Sequence, residues 1–211
     1  EIDTVSHDGG NASGEFCFTL TVTDVATQWT EERALKNKAR RWVRQAMDEV
    51  YASFPVPLKG IDSDNGGEFI NTAMKTWCEQ RQLTFTRSRS YHKNDNCYVE
   101  QKNGDVVRKT IGYARYTNEG ALAAVYQVLN LLLNYCYPCT KLIDKTRDAQ
   151  GKTKRVYDQP AAPYERLLAR DDVPREAKDR LTAQRERLNI VRLQDALDRA
   201  VDQLLQSAQR Y

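Results

Sequence analysis

The first 35 residues hold three short runs rich in β-branched and aromatic side chains, at 1–7, 15–23 and about 28–35. Their connections are turns by composition: Asp8-Gly9-Gly10-Asn11-Ala12-Ser13-Gly14, then Asp24-Val25-Ala26-Thr27. Strands joined this tightly read as an antiparallel meander. The chain then begins to alternate. Ala39, Trp42, Val43, Ala46, Met47, Val50 and Tyr51 recur at helical spacing, with Asn37 as the expected N-cap and Pro55 as the stop. A short strand at 58–62 follows, then a helix capped by Asn71 that turns Met74, Trp77 and Cys78 inward, with Phe69 stapling its start. A strand at 83–86 and a polar loop over 87–96 lead to a helix reaching about residue 111, with Asn96 as its expected cap. An apolar helix spans 121–135. This order is that of an α/β fold.

The character changes after Tyr137-Pro138. Residues 141–159 are polar and basic, a linker or hairpin, and 160–211 read as helical: 163–168, 175–188 and 190–208. The last helix carries Leu193, Leu197, Val201, Leu204 and Ala208 on one face and is expected to pack on its own domain, with a partner helix as the minority alternative. The expected division is a core at 1–140, the basic segment at 141–159 and a helical extension at 160–211. At 211 residues the chain can bury a proper core. It begins without Met and directly in a strand, which reads as a piece of a longer protein. Five cysteines without paired spacing and no signal peptide suggest a reducing, cytoplasmic setting, and no apolar run is long enough for a membrane span. Cys136-Tyr137-Pro138-Cys139 lacks the second pair that structural zinc needs.

Three carboxylates stand out. Asp3 interrupts the apolar edge of the first strand, between Ile2 and Val5, where Asp is unfavourable without a reason. Asp64 opens Ser63-Asp64-Asn65-Gly66-Gly67-Glu68-Phe69, and Glu100 lies in Lys93-Asn94-Asp95-Asn96-Cys97-Tyr98-Val99-Glu100-Gln101-Lys102-Asn103, with 35 residues between the two acids. Carboxylate oxygens suit hard divalent ions. A pair of such ions can serve both the attacking and leaving oxygens of a phosphodiester. An Asp-Asn-Gly by itself is only a turn signal. Two long motifs at this separation are a stronger pattern.

Taken together, these motifs resemble the catalytic core of bacterial insertion-sequence transposases of the retroviral-integrase type, closely over residues 1 to about 150. The resemblance implies a ribonuclease-H-like mixed five-stranded sheet flanked by helices. It also implies an Asp-Asp-Glu triad of Asp3, Asp64 and Glu100 holding two Mg2+ (or Mn2+) ions. The activity implied is metal-dependent cleavage of DNA 3′ ends and strand transfer, with transposon ends and target DNA as partners. Homo-oligomers on DNA and a bacterial cytoplasm, at the nucleoid, are implied as well. A nuclease that hydrolyses without joining, or a non-catalytic DNA-binding module derived from a transposase, are the alternatives. The chain departs from the family pattern at Gly104, where a bulky residue, often Trp, is expected, and more mildly at Cys97-Tyr98.

Each position also has a plainer reading. Asp62 would leave 37 intervening residues and ranks behind Asp64. Glu68 reads as a capping or structural acid, Asp24 as a turn former and His7 as a surface residue. His92 suits DNA contact better than metal ligation. Net charge is only +3, but residues 87–115 and 141–155 each carry a local cationic surplus. The first flanks the triad, so Arg87, Arg89, Lys93, Asn94, Lys102 and Arg108 are the expected DNA contacts. For the second, a solvated face and a phosphate-contacting face are evenly matched.

Overall fold

A computed structural model describes residues 1–89, 95–147 and 151–208. Five strands form one sheet: β1 (Ile2–Ser6), β2 (Phe18–Thr23), β3 (Thr30–Leu35), β4 (Gly60–Ser63) and β5 (Thr84–Arg87), in the spatial order β3-β2-β1-β4-β5. The first three pair antiparallel, whereas β4 joins β1, and β5 joins β4, in parallel. The parallel pairings follow from the crossovers, which pass through α1 (Arg40–Ser53) and α2 (Thr72–Gln80). The expected meander is present, with β2 beginning at Phe18 rather than residue 15.

Alternation along β1 gives the two sheet faces different chemistry. Ile2 sits opposite Val22 and Thr4 opposite Leu20, on the face covered by α1 and α2, where Val43, Met47, Val50, Met74 and Trp77 are buried. Asp3 and Val5, opposite Thr21 and Thr19, point to the other face. That face is covered by α3 (Cys97–Lys102), a π-helical stretch (Asn103–Arg108), α4 (Lys109–Ile111) and α5 (Glu119–Tyr135). Its sheet side is polar, with Thr19, Thr21, Thr30 and Glu32 all buried. Asn130 and Asn134 of α5 match it by bonding the edge of β3: Asn134 Oδ1 accepts from Thr30 N at 2.9 Å and Asn130 Oδ1 from Glu32 N at 3.1 Å.

Beyond the sheet, β6 (Leu142–Arg147) and β7 (Thr153–Tyr157) form a separate antiparallel hairpin. Then come α6 (Pro163–Leu168), α7 (Arg175–Arg187) and α8 (Ile190–Gln206). Leu197 and Leu204 of α8 are buried with Leu122, Leu129 and Leu132 of α5, so the apolar stripe packs on its own chain. Leu167, Ala177 and Leu181 bury against Trp29 and Tyr135.

Several local expectations need correcting. Asn37 is not the N-cap of α1; Ala39 is, and Asn37 Oδ1 accepts the Ala39 N–H at 2.9 Å. Tyr51 is exposed at the rim, where its ring meets Trp77 edge-on. His7 is fully buried, with Nε2 2.7 Å from Thr19 Oγ1. The surface reading missed this because His7 continues the inward parity of Asp3 and Val5. Asp24 behaves as expected, accepting from Thr27 N at 2.9 Å to close its turn.

Candidate active site

The register of the central strands builds the site. Ile2 of β1 lies beside Ser63 of β4, and the two strands run in parallel. Asp3 follows Ile2 in β1 and Asp64 follows Ser63 just past the end of β4, close enough that the Asp64 charge acts on Asp3. Asp64 leaves β4 in a tight turn, its Oδ1 accepting from Gly66 N at 2.9 Å. Glu100 is exposed in the first turns of α3, on the face of the sheet to which Asp3 points.

Asp3 is tied from two sides. Thr4 N donates to its Oδ1 at 2.7 Å, and Asn103 Nδ2 donates to its Oδ2 at 2.7 Å. Burial pushes its pKa up to about 6; the nearby Asp64 and Glu100 charges push the same way, while the Thr4 and Asn103 donors pull down. Three acids thus feel one another at Asp3. Their oxygens suit a hard divalent cation, which would relieve that repulsion. Among the described residues, no three His, Cys, Asp or Glu side chains are drawn together tightly enough to form a ready-made ion cage. The arrangement is an open one.

The start of α3 is held in a way the sequence did not suggest. Asn96 adopts φ 64° and makes no side-chain cap. With its amide oriented by its partners, the nitrogen faces Asp62 Oδ2 at 2.9 Å and the oxygen faces Asp64 N at 2.7 Å and Ser88 Oγ at 3.0 Å. Asn96 therefore ties the helix start to the end of β4. The capping acceptor is Glu1, whose Oε2 takes the Tyr98 N–H at 2.8 Å and the Val99 N–H at 3.0 Å. Glu1 and Asp3 share one strand parity, and that shared face was the only signal available for it. Glu68 accepts from Thr4 Oγ1 at 3.0 Å and pairs with Lys38 at 3.2 Å, the structural role expected of it.

The expected DNA contacts divide. Arg87 ends β5 in register with Ser63, exposed beside Asp64. Arg89 is exposed and grips Asp95 through two nitrogens at 3.0 Å each. Lys102 is half-buried and its charge reaches Glu32. Arg108 is half-buried and engaged with its own chain: Nη2 donates to Ser6 O at 2.6 Å and its guanidinium lies 4.8 Å from the ring centroid of the exposed Tyr113. Arg115, counted in the same cationic surplus, is buried and donates to the carbonyls of Asp8, Asn11, Ser13 and Glu15. Lys93, Asn94 and His92 lie outside the described residues. At Gly104 nothing lies within 4 Å of where a Cβ would stand, so the position opens outward and crowding does not demand glycine.

The fold, with β1 central and β4 parallel beside it, is ribonuclease-H-like, and a comparison with protein families agrees over the same strands: residues 1–93 match the model described as "Integrase core domain". Over residues 1–93 the chain is similar to an integrase core domain. Integrase core domains are of the polynucleotidyl-transferase type and typically use divalent metals. Asp3 and Asp64 lie within the matched segment, and Glu100 lies beyond it. An "Uncharacterized protein y4rM" of Sinorhizobium fredii (strain NBRC 101917 / NGR234) is 41% identical over 169 residues, covering 79% of this chain and 48% of that protein. The chain thus spans about half the length of this curated relative. Among the described residues no helix is long and apolar enough to cross a membrane.

Proposed function

We propose that this chain is the catalytic region of a DNA transposase that cleaves DNA 3′ ends and joins them to target DNA. The observation that carries the reading is the register of β1 against β4. It supports a grouping of Asp3 with Asp64, in a segment similar to an integrase core domain, with the Glu100 charge also felt at Asp3. Asp3, Asp64 and Glu100 would hold two divalent ions, Mg2+ or Mn2+. Such ions lower the pKa of an attacking water and stabilise charge on a phosphoryl oxygen.

The chain's own residues supply position. Asn103 and the Thr4 N–H hold both Asp3 oxygens in a fixed orientation. Glu1 and Asn96 fix where α3 begins, and with it Glu100. Arg87, Arg89 and Lys102, with Lys93 and Asn94, would contact DNA backbone; Arg108 is withdrawn from that set by its bond to Ser6. In hydrolysis, water forms the new P–O bond as the bond to the 3′ oxygen breaks. In joining, the freed 3′-hydroxyl forms a P–O bond to a target phosphate as that phosphate's bond to its own 3′ oxygen breaks, and the target 3′-hydroxyl leaves. The ends must be handled together, so a homo-oligomer on DNA belongs to the proposal.

The test is Mg2+- or Mn2+-dependent cleavage and joining of a labelled DNA end, wild type beside Glu100→Gln. Both reactions are expected in the wild type and neither in the variant. Cleavage without joining would replace this reading by a hydrolytic nuclease. DNA binding with no cleavage, in the chain extended to the length of its relative, would leave a binding module.

A further inference from the structure

The β6–β7 hairpin is absorbed by none of these roles. Residues 143–147 and 151–155 are all exposed, and no strand of the main sheet pairs with the hairpin. A two-stranded ribbon of this kind is marginally stable by itself. Its base, by contrast, is clamped. Lys141 N donates to Asp158 Oδ1 at 2.6 Å and Asp158 N to Lys141 O at 3.0 Å, while Arg166 pairs with Asp158 and donates to Cys139 O at 2.6 Å.

Charge on the ribbon is arranged against its own stability. Lys145 lies directly opposite Arg155, and Arg147 is two residues from Lys145 on the same side. Like charges directly opposed across strands are unfavourable. Among the described residues none of the ion pairs, those of Asp95, Asp105, Asp158 and Asp172 included, takes in Lys145, Arg147 or Arg155, and the one acid on the described ribbon, Asp144, accepts from the Lys145 backbone N–H. A neighbouring polyanion would reverse the sign of this arrangement.

The hairpin also stands next to the candidate site. Lys141 Nζ lies 5.9 Å from the Tyr98 ring centroid. Burial raises the Cys97 thiol pKa, Glu1 adds to that and the Lys145 charge pulls it back, so Lys145 is within electrostatic reach of the start of α3. Cys97 and Tyr98 open the helix that carries Glu100.

We propose that the β6–β7 hairpin is a DNA-contacting arm whose Lys145, Arg147 and Arg155 face grips the phosphate backbone of duplex entering the candidate active site. The proposal rests on the reading of the core as DNA-processing. A two-stranded ribbon matches the dimensions of the major groove, and cations without base-reading partners make sequence-independent contacts. Each phosphate contact releases counterion, so it appears in the salt dependence of binding.

The experiment is fluorescence anisotropy of a labelled random-sequence duplex at several salt concentrations. It compares wild type with the triple variant Lys145→Gln, Arg147→Gln, Arg155→Gln and, as a comparison surface, Arg175→Gln, Lys178→Gln on α7. The hairpin variant should melt no lower than wild type, bind more weakly, and show a slope of log affinity against log salt shallower by about 2 to 3. The α7 variant should keep the wild-type slope. Unchanged affinity and slope in the hairpin variant would overturn the arm while leaving the core's function standing, and would point to an acidic protein partner. Equal losses in both variants would reduce the effect to net charge and overturn it too. A wild type that binds no duplex would overturn the underlying reading and the arm with it.

Discussion

Two residues buried on the same sheet face make the pH dependence of this protein predictable. Glu32 is fully buried, and neither carboxylate oxygen has a hydrogen-bond partner among the described residues. Burial, then the Glu31 charge, push its pKa up to about 8, with Lys102 and Arg33 pulling the other way. The folded state therefore holds a proton that the unfolded chain releases near its ordinary value of 4.5, and stability falls as pH rises from there to about 8. His7 works in the opposite sense: burial, helped by the Arg108 charge, lowers its pKa to about 3, so its contribution falls as pH drops below 6.5. The two slopes offset each other between the ordinary Glu and His values. Of these two, Glu32 alone acts above pH 6.5. Denaturant unfolding should thus show Glu32→Gln losing on the order of 2 kcal/mol less than wild type between about pH 6.5 and 8. Parallel curves would mean that Glu32 is ionised in the folded protein. Asn103 offers a second test at this scale. Its donation to Asp3 resembles the outer partners that orient metal ligands, so Asn103→Ala should raise the Mg2+ concentration needed for cleavage by about 10- to 100-fold.

Among the elements, α3 is the one on which function turns, and it is short, only Cys97–Lys102 before the helix passes into π geometry. A six-residue helix has little stability of its own. Its anchoring comes from outside, through Glu1 at its N-terminus and Asn103 to Asp3. Glu1→Ala removes an anionic acceptor for two N–H groups and should cost about 1 to 2 kcal/mol. Amide exchange at Tyr98 and Val99 should rise with it; unchanged exchange would mean that water replaces the carboxylate without loss. The π stretch places Asn103 toward Asp3 and Val107 in the core within one continuous helical run. Such bulges recur at functional sites. Asn71 gives a plainer element-scale case, its cap on α2 formed as its position beside Phe69 suggested, with Met74 N donating at 3.0 Å.

For the whole molecule, the C-terminal helices complete the core. Leu204 is fully buried among α5 side chains, so Leu204→Ala should destabilise by about 2 to 5 kcal/mol. Because α8 shares its cluster with Val5 and Cys17 at the sheet, calorimetry should give a single unfolding transition for the chain. Two transitions would make the extension a separable domain. The sequence by itself determined the kinds and order of elements, because periodicity, Asn71 and Pro55 act within a few residues. It also singled out Asp3, because Asp is out of place in a strand, and through the resemblance of their motifs to a known family it pointed to Asp64 and Glu100. Only the tertiary structure decided which side chains meet. That Arg108 and Arg115 turn inward to carbonyls, that His7 is buried, and that Glu1 caps α3 from 97 residues away depend on sheet register and on which face each helix covers. Charge and composition carry no record of that, since the same arginine suits a phosphate or a carbonyl until packing chooses between them.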